Sequence, residues 1–159
     1  MNIFNRQISL LPILFMLHNI EEVIAIHFMN DIHFLSAIHH ISQFIIAVLL
    51  FTILGFIVVF WKSIYKTNTQ YQYIVLGFTG MLFLNSFFPH ILSAIYFRRY
   101  TPGLITAFFL ILPFTGFILW KFHHLKIFPT GKELITIFTG GIIGILLVFI
   151  FLGIGYMCT

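Results

Sequence analysis

Residues 41–61, ISQFIIAVLLFTILGFIVVFW, hold no charged side chain and no proline from end to end. A helix rises about 1.5 Å per residue, so a run of this length covers the roughly 30 Å hydrocarbon core of a bilayer. A soluble helix would instead interleave its apolar stripe with a polar face. Comparable stretches flank this one at about 8–28, 72–97, 103–120 and 133–156, so the sequence predicts five transmembrane helices. Polar breaks separate them at Asn30-Asp31, residues 62–72, residues 98–103 and residues 121–132. No repeat or linker divides the chain, and residues 1–159 read as one integral membrane domain, an all-α polytopic helix bundle.

Composition agrees, because 60% of the residues are hydrophobic and 8% charged, more apolar surface than a soluble domain of 159 residues can bury. Cys158 is the single cysteine, which excludes an intrachain disulfide and a cysteine-based metal site. The opening MNIFNRQISLLPILF places a basic residue before an apolar run, as a signal peptide does. No small-x-small cleavage site precedes His18, so the run is expected to be a retained first helix.

Lysine and arginine in short loops favour the cytoplasmic side. With five spans, Arg6, Lys62, Lys66, Lys121, Lys126 and Lys132 share one side, against Arg98 and Arg99 on the other, which sets the N-terminus in the cytoplasm. The net charge of +4 is then explained by topology and by anionic lipid headgroups, and no nucleic-acid partner is expected. Arg98 and Arg99 lie on the side that should lack them. They could bind a phosphate or carboxylate of a substrate, or snorkel to water.

The strongest chemical signal is His18-Asn-Ile-Glu21-Glu22. An ionised group inside a transmembrane helix costs about 2.5–3.5 kcal/mol on insertion scales. At about 100° per residue, Glu21 lies about 60° to one side of His18 and Glu22 about 40° to the other, so all three share a face. They read as one site for metal or proton chemistry, or as a polar cluster that joins helices. In the N-inside topology, His39 and His40 start the second helix at the same level, and Asn85 and His90 reach it in the outer half of the third. His27 falls about 180° from His18, His33 sits in a loop, and His123 and His124 lie on the opposite side; these four are expected to be interfacial or solvated. Pro89 removes the amide that would bond to the Asn85 carbonyl and predicts a kink beside His90. Asn85, Ser86 and Ser93 either line a polar cavity there or repair the helix. Tyr100-Thr-Pro102-Gly103 predicts a tight turn, with Tyr100 as a donor and Thr106 facing the same level. Gly140, Gly141, Gly144, Gly153 and Gly155 predict close helix packing, since no lysine follows them to make a phosphate loop.

On these residues the sequence resembles the HXXEE family of small bacterial membrane proteins. The matching features are His18-x-x-Glu21-Glu22, a histidine at the start of the second helix, Asn85 with His90, and Tyr100-x-Pro102-Gly103. The resemblance implies a bacterial plasma-membrane location but brings no reaction with it, so function is argued from the residues.

The leading expectation is a membrane metallohydrolase that acts on a lipid or membrane peptide. His18, Glu22, His40 and His90 would hold zinc or a similar divalent metal, with His39 as the alternative to His40, and Glu21 would activate the bound water. Asn85, Arg98, Arg99, Tyr100 and Thr106 would support the site or bind substrate. His18-x-x-Glu21-Glu22 is similar to the inverted H-x-x-E-H zinc motif with glutamate in place of the second histidine. Paired glutamates among membrane-embedded histidine and asparagine also resemble the CAAX-protease-like peptidases, which place an arginine where this chain has Ile26. A di-iron centre would require more carboxylates than Glu21, Glu22 and Asp31 provide. The alternatives are a proton- or cation-coupled transporter and a non-catalytic binding or immunity protein. The residues leave the metal's identity, the substrate and the oligomeric state open.

Overall fold

The computed structural model describes residues 3–28, 38 and 40–159, with side chains from residue 6 onward. The described residues are helical apart from turns and short connections, and five helices are long and apolar enough to cross a membrane: Arg6–Phe28, Ile41–Phe60, Asn68–Phe97, Leu104–His124 and Thr130–Met157. These are called the first to fifth spans. Large apolar side chains cover much of their outer surface, including Leu49, Ile53, Phe109, Ile135, Ile142 and Phe149, each more than half exposed. That distribution suits a lipid solvent, and it makes the chain a membrane-protein bundle.

The predicted ends shift for local reasons. The third span begins at Asn68 because Thr67 caps it, its side chain accepting from the Gln70 amide at 3.1 Å. The fourth runs on to His124, where Trp120 stacks on the His124 ring at 5.0 Å. The fifth starts at Thr130, just after Pro129, whose fixed φ suits the position before a first turn.

The third span is the centre of the bundle and packs against the second, fourth and fifth; the first span packs on the second and on the start of the fourth. Phe15, Val75, Leu76, Leu82, Ile118 and Phe122 make the deepest layer. Two polar ties link the spans around it. The Asn19 amide donates to Thr52 Oγ1 at 2.7 Å, joining the first and second spans, and Gln43 donates to the Leu152 carbonyl at 3.1 Å, joining the second and fifth. Buried amides in an apolar bundle need such partners.

Glycine lets the third and fifth spans touch backbone to backbone. A Cβ on Gly140 would sit 2.1 Å from the Gly77 carbonyl oxygen, and one on Gly80 would sit 2.8 Å from the Ile137 Cα. Gly144 meets Met81 and Gly155 meets Gln43, as the glycine run predicted, whereas Gly153 faces open space. Gly140→Ala is therefore expected to destabilise the detergent-solubilised protein by about 1–3 kcal/mol. Gly131→Ala, with nothing within 4 Å, should leave thermal unfolding unchanged. Equal melting curves for the two variants would refute the close crossing.

Candidate metal centre

His18 and Glu22 stand one turn apart in the first span, and both turn inward toward His90 of the third. Regular helix would not bring His90 there. Pro89 has no amide to donate, Phe88 leaves helical geometry at φ −127° and ψ 118°, and Ser86–Ile91 widens into a π-helical turn. Side-chain hydroxyls bond to the backbone on either side of the break: Ser86 Oγ donates to the Leu82 carbonyl at 3.0 Å and Thr101 Oγ1 to the His90 carbonyl at 3.1 Å. Ser86 thus turns its hydroxyl back onto its own helix, one turn before the break.

The result is a compact set of donor atoms. His18 Nε2 lies 3.1 Å from His90 Nε2, and Glu22 Oε1 lies 3.4 Å from His90 Nε2 and 3.9 Å from His18 Nε2. Both imidazoles are buried, at 2% and 3% exposure, and Glu22 is partly exposed. Asn85 places its amide nitrogen 3.2 Å from His90 Nε2. The outer nitrogen of each ring is also held. His90 Nδ1 lies 2.8 Å from the Pro102 carbonyl, which can only accept, so the His90 proton resides on Nδ1 and Nε2 is bare. His18 Nδ1 lies 2.8 Å from Thr106 Oγ1.

Glu21 points to another partner, the beginning of the fourth span. Its Oε1 accepts from the Tyr100 hydroxyl at 2.6 Å and the Ile105 amide at 3.1 Å, and its Oε2 accepts from the Thr106 amide at 2.7 Å and from the Thr106 hydroxyl. Four donors fill the acceptor sites of one carboxylate. The carboxylate thereby satisfies amides that begin a helix and have no partner within it. Tyr100 lies outside the spans, and burial pushes its phenol up from the ordinary value, with the Glu21 carboxylate adding to the shift. It stays a protonated donor at neutral pH.

Gly103 forms the roof. It adopts the left-handed φ of 79°, and a Cβ there would lie 2.7 Å from His18 Cε1, 2.9 Å from Glu22 Cγ and 2.9 Å from His90 Cε1. Among the sequence-predicted site residues, the structure thus gathers His18, Glu21, Glu22, Asn85, His90, Tyr100 and Thr106 at one end of the bundle. It does not bring His40 into the donor set: His40 is exposed at the N-cap of the second span. His39 and His33 lie outside the described residues. Arg98 is exposed in a left-handed turn at the end of the third span, and Arg99 sits over the Phe97 ring at 5.6 Å. His27 is exposed.

Sequence reasoning did not assign Gly103, Pro102 or Thr101 to the site, although the turn signal at 100–103 marked the place. It also missed Glu133, buried at the opposite end, whose Oε2 lies 2.9 Å from His123 Nδ1. That pair places His123 in the last helical turn of the fourth span rather than in a loop.

A family model described as "Protein of unknown function with HXXEE motif" matches residues 9–118, most of the chain and all of the donor set. This chain belongs to the HXXEE family. The HXXEE chain is also 29% identical over 120 residues, 75% of each protein, to the uncharacterised protein YrkK of Bacillus subtilis (strain 168). No solved structure matches it. In the HXXEE motif of this chain the three named positions divide their work: His18 and Glu22 face His90, and Glu21 faces the fourth span.

Gly103→Ala tests the roof. It should lower thermal stability by at least about 1–3 kcal/mol and shift the His18 and His90 ring signals in NMR spectra of the solubilised protein. Unchanged ring signals would show that residue 103 does not rest on those rings.

Proposed function

We propose that this protein holds a divalent, zinc-like ion between His18, Glu22 and His90 and uses it to hydrolyse a lipid or membrane-peptide bond. One observation carries the reading: three donor atoms from two spans converge with edges of 3.1, 3.4 and 3.9 Å. Tetrahedral zinc with bonds of about 2.0–2.2 Å requires donor–donor edges of about 3.3 Å. Two histidines and one glutamate are a ligand set of catalytic zinc sites, which keep a further position for water.

The ion would polarise a carbonyl and lower the pKa of a bound water to about 7. The water oxygen would bond to the carbonyl carbon, the ester or amide bond would break, and the water's hydrogens would be shared between the new acid and the leaving group. The sequence assigned the water's proton to Glu21. Its four hydrogen bonds favour a supporting role, and Glu22 is then the carboxylate nearest the ion. Arg98 and Arg99, at the same end of the bundle, would hold an anionic group of the substrate.

The location we infer from the bacterial relative is a bacterial plasma membrane, and the lysine and arginine distribution supports an inside N-terminus. Five spans then set Cys158 outside. A membrane-impermeant thiol reagent should label Cys158 on intact cells as strongly as after lysis. Labelling only after lysis would invert the topology and move the site to the inner leaflet.

Elemental analysis of the purified protein tests the ion. About one zinc per chain is expected in the wild type, with most of it lost in folded His18→Ala, Glu22→Gln and His90→Ala variants. Hydrolysis of labelled lipid and peptide panels should follow metal content. A protein that stays metal-free after attempted zinc reconstitution would overturn the reading and favour proton or cation relay.

A further inference from the structure

Residues 100–106 touch three polar groups of the cluster: the Pro102 carbonyl accepts from His90, Thr106 meets His18, and Tyr100, Ile105 and Thr106 donate to Glu21. His90 needs no help in choosing its proton position, because a carbonyl accepts only. His18 is different, since a threonine hydroxyl can either donate to Nδ1 or accept from it. What decides is where the single hydroxyl hydrogen of Thr106 goes. Glu21 Oε2 takes it in the shortest contact of the site, with the Gly103 carbonyl a poorer alternative at 3.3 Å. The Thr106 oxygen is then left with lone pairs, to which His18 Nδ1 donates at 2.8 Å. The competing tautomer would donate from His18 Nε2 to the bare His90 Nε2 at 3.1 Å, but Asn85 already offers that lone pair a donor at 3.2 Å.

We infer that Glu21 is a positioning residue that acts through the Thr106 hydroxyl to hold His18 as the Nδ1–H tautomer, leaving its Nε2 lone pair turned toward His90 and Glu22. The inference rests on the metal-site reading for its purpose, but its content is a proton position that exists with or without an ion. It explains why the motif has two adjacent carboxylates: Glu22 faces the donor set, and Glu21 sets the chemical state of the histidine one turn before it. Outer partners of this kind orient ligand histidines, and their loss typically costs tenfold to a hundredfold in metal affinity. Here the carboxylate reaches the ring through an intervening hydroxyl, and the same carboxylate satisfies the first amides of the fourth span. Formation of that helix and selection of the His18 tautomer are thereby one event.

Long-range proton–nitrogen NMR on the metal-free, detergent-solubilised full chain with isotope-labelled histidine reads the tautomer directly, and cobalt(II) titration of the same samples reads affinity. The wild type should show the His18 proton on Nδ1. Thr106→Val, which removes the hydroxyl, should move the proton toward Nε2 and weaken cobalt binding about tenfold to a hundredfold. Thr106→Ser should restore both readouts. Glu21→Gln, whose amide can donate to Thr106 and turn its hydroxyl toward His18, should raise the Nε2–H fraction as well, and it decides the question with Thr106→Ser if Thr106→Val does not fold. An unchanged Nδ1–H tautomer in Glu21→Gln and Thr106→Val, or a Thr106→Ser variant as impaired as Thr106→Val, would overturn the inference. The two readings fail separately. Tautomer shifts without cobalt binding in any sample would sink the ion and leave the positioning role, whereas equal cobalt affinity in all samples would sink the positioning role and leave the ion.

Discussion

A carboxylate in an apolar bundle must find donors, and Glu21 finds four, all in the first residues of the fourth span or the turn before it. The need is mutual. A helix that starts among apolar side chains has amides with no carbonyl to meet, and leaving one such group unsatisfied in lipid costs several kcal/mol. Glu21 answers both demands at once. It joins the first and fourth spans at the depth where His18 and Glu22 face His90, and the turn that carries Gly103 and Pro102 is anchored over the donor set as a consequence. It acts beside the Thr101 bond to the His90 carbonyl in setting the Pro102 carbonyl against His90 and Thr106 against His18.

The interruption in the third span is the complementary requirement. A continuous helix through residues 85–91 would space its side chains at regular angles. Pro89 breaks that regularity, and the wider turn across Ser86–Ile91 turns His90 inward among His18, Glu22 and Asn85. Hydroxyls from the same neighbourhood bond to the backbone beside the break, Ser86 to the Leu82 carbonyl and Thr101 to that of His90. A kink in one helix and a capped start in another thus meet at the residues that enclose the cluster.

Much of this is legible in the sequence. The five spans follow from the length of apolar runs, and the shared face of His18, Glu21 and Glu22 follows from helical periodicity alone. The convergence of Asn85 and His90 at that level follows from counting residues along antiparallel helices. What periodicity does not convey is which neighbour each side chain meets. Glu21 and Glu22 differ by 100° around the helix, enough to send one to the fourth span and the other to the third. His40 occupies the right level, yet it sits at a helix start facing outward, a matter of rotation at an N-cap that residue counting does not resolve. Gly103 announces a turn, but its role as a roof depends on a left-handed backbone brought against three side chains from two other segments. Backbone acceptors such as the Pro102 carbonyl carry no sequence signature at all, since every residue has one.

The backbone contact between Gly77 and Gly140 also bears on how the bundle can move. Where two helices approach until the peptide groups touch, there are no side chains between them to change rotamer, and sliding or rotating one against the other would collide main-chain atoms. The third and fifth spans therefore behave mechanically as a single mast. The first and fourth spans are joined to each other through Glu21 and to that mast through separate contacts. Relative motion in the bundle is then left to the other helices, and the first and fourth would move together because Glu21 ties them.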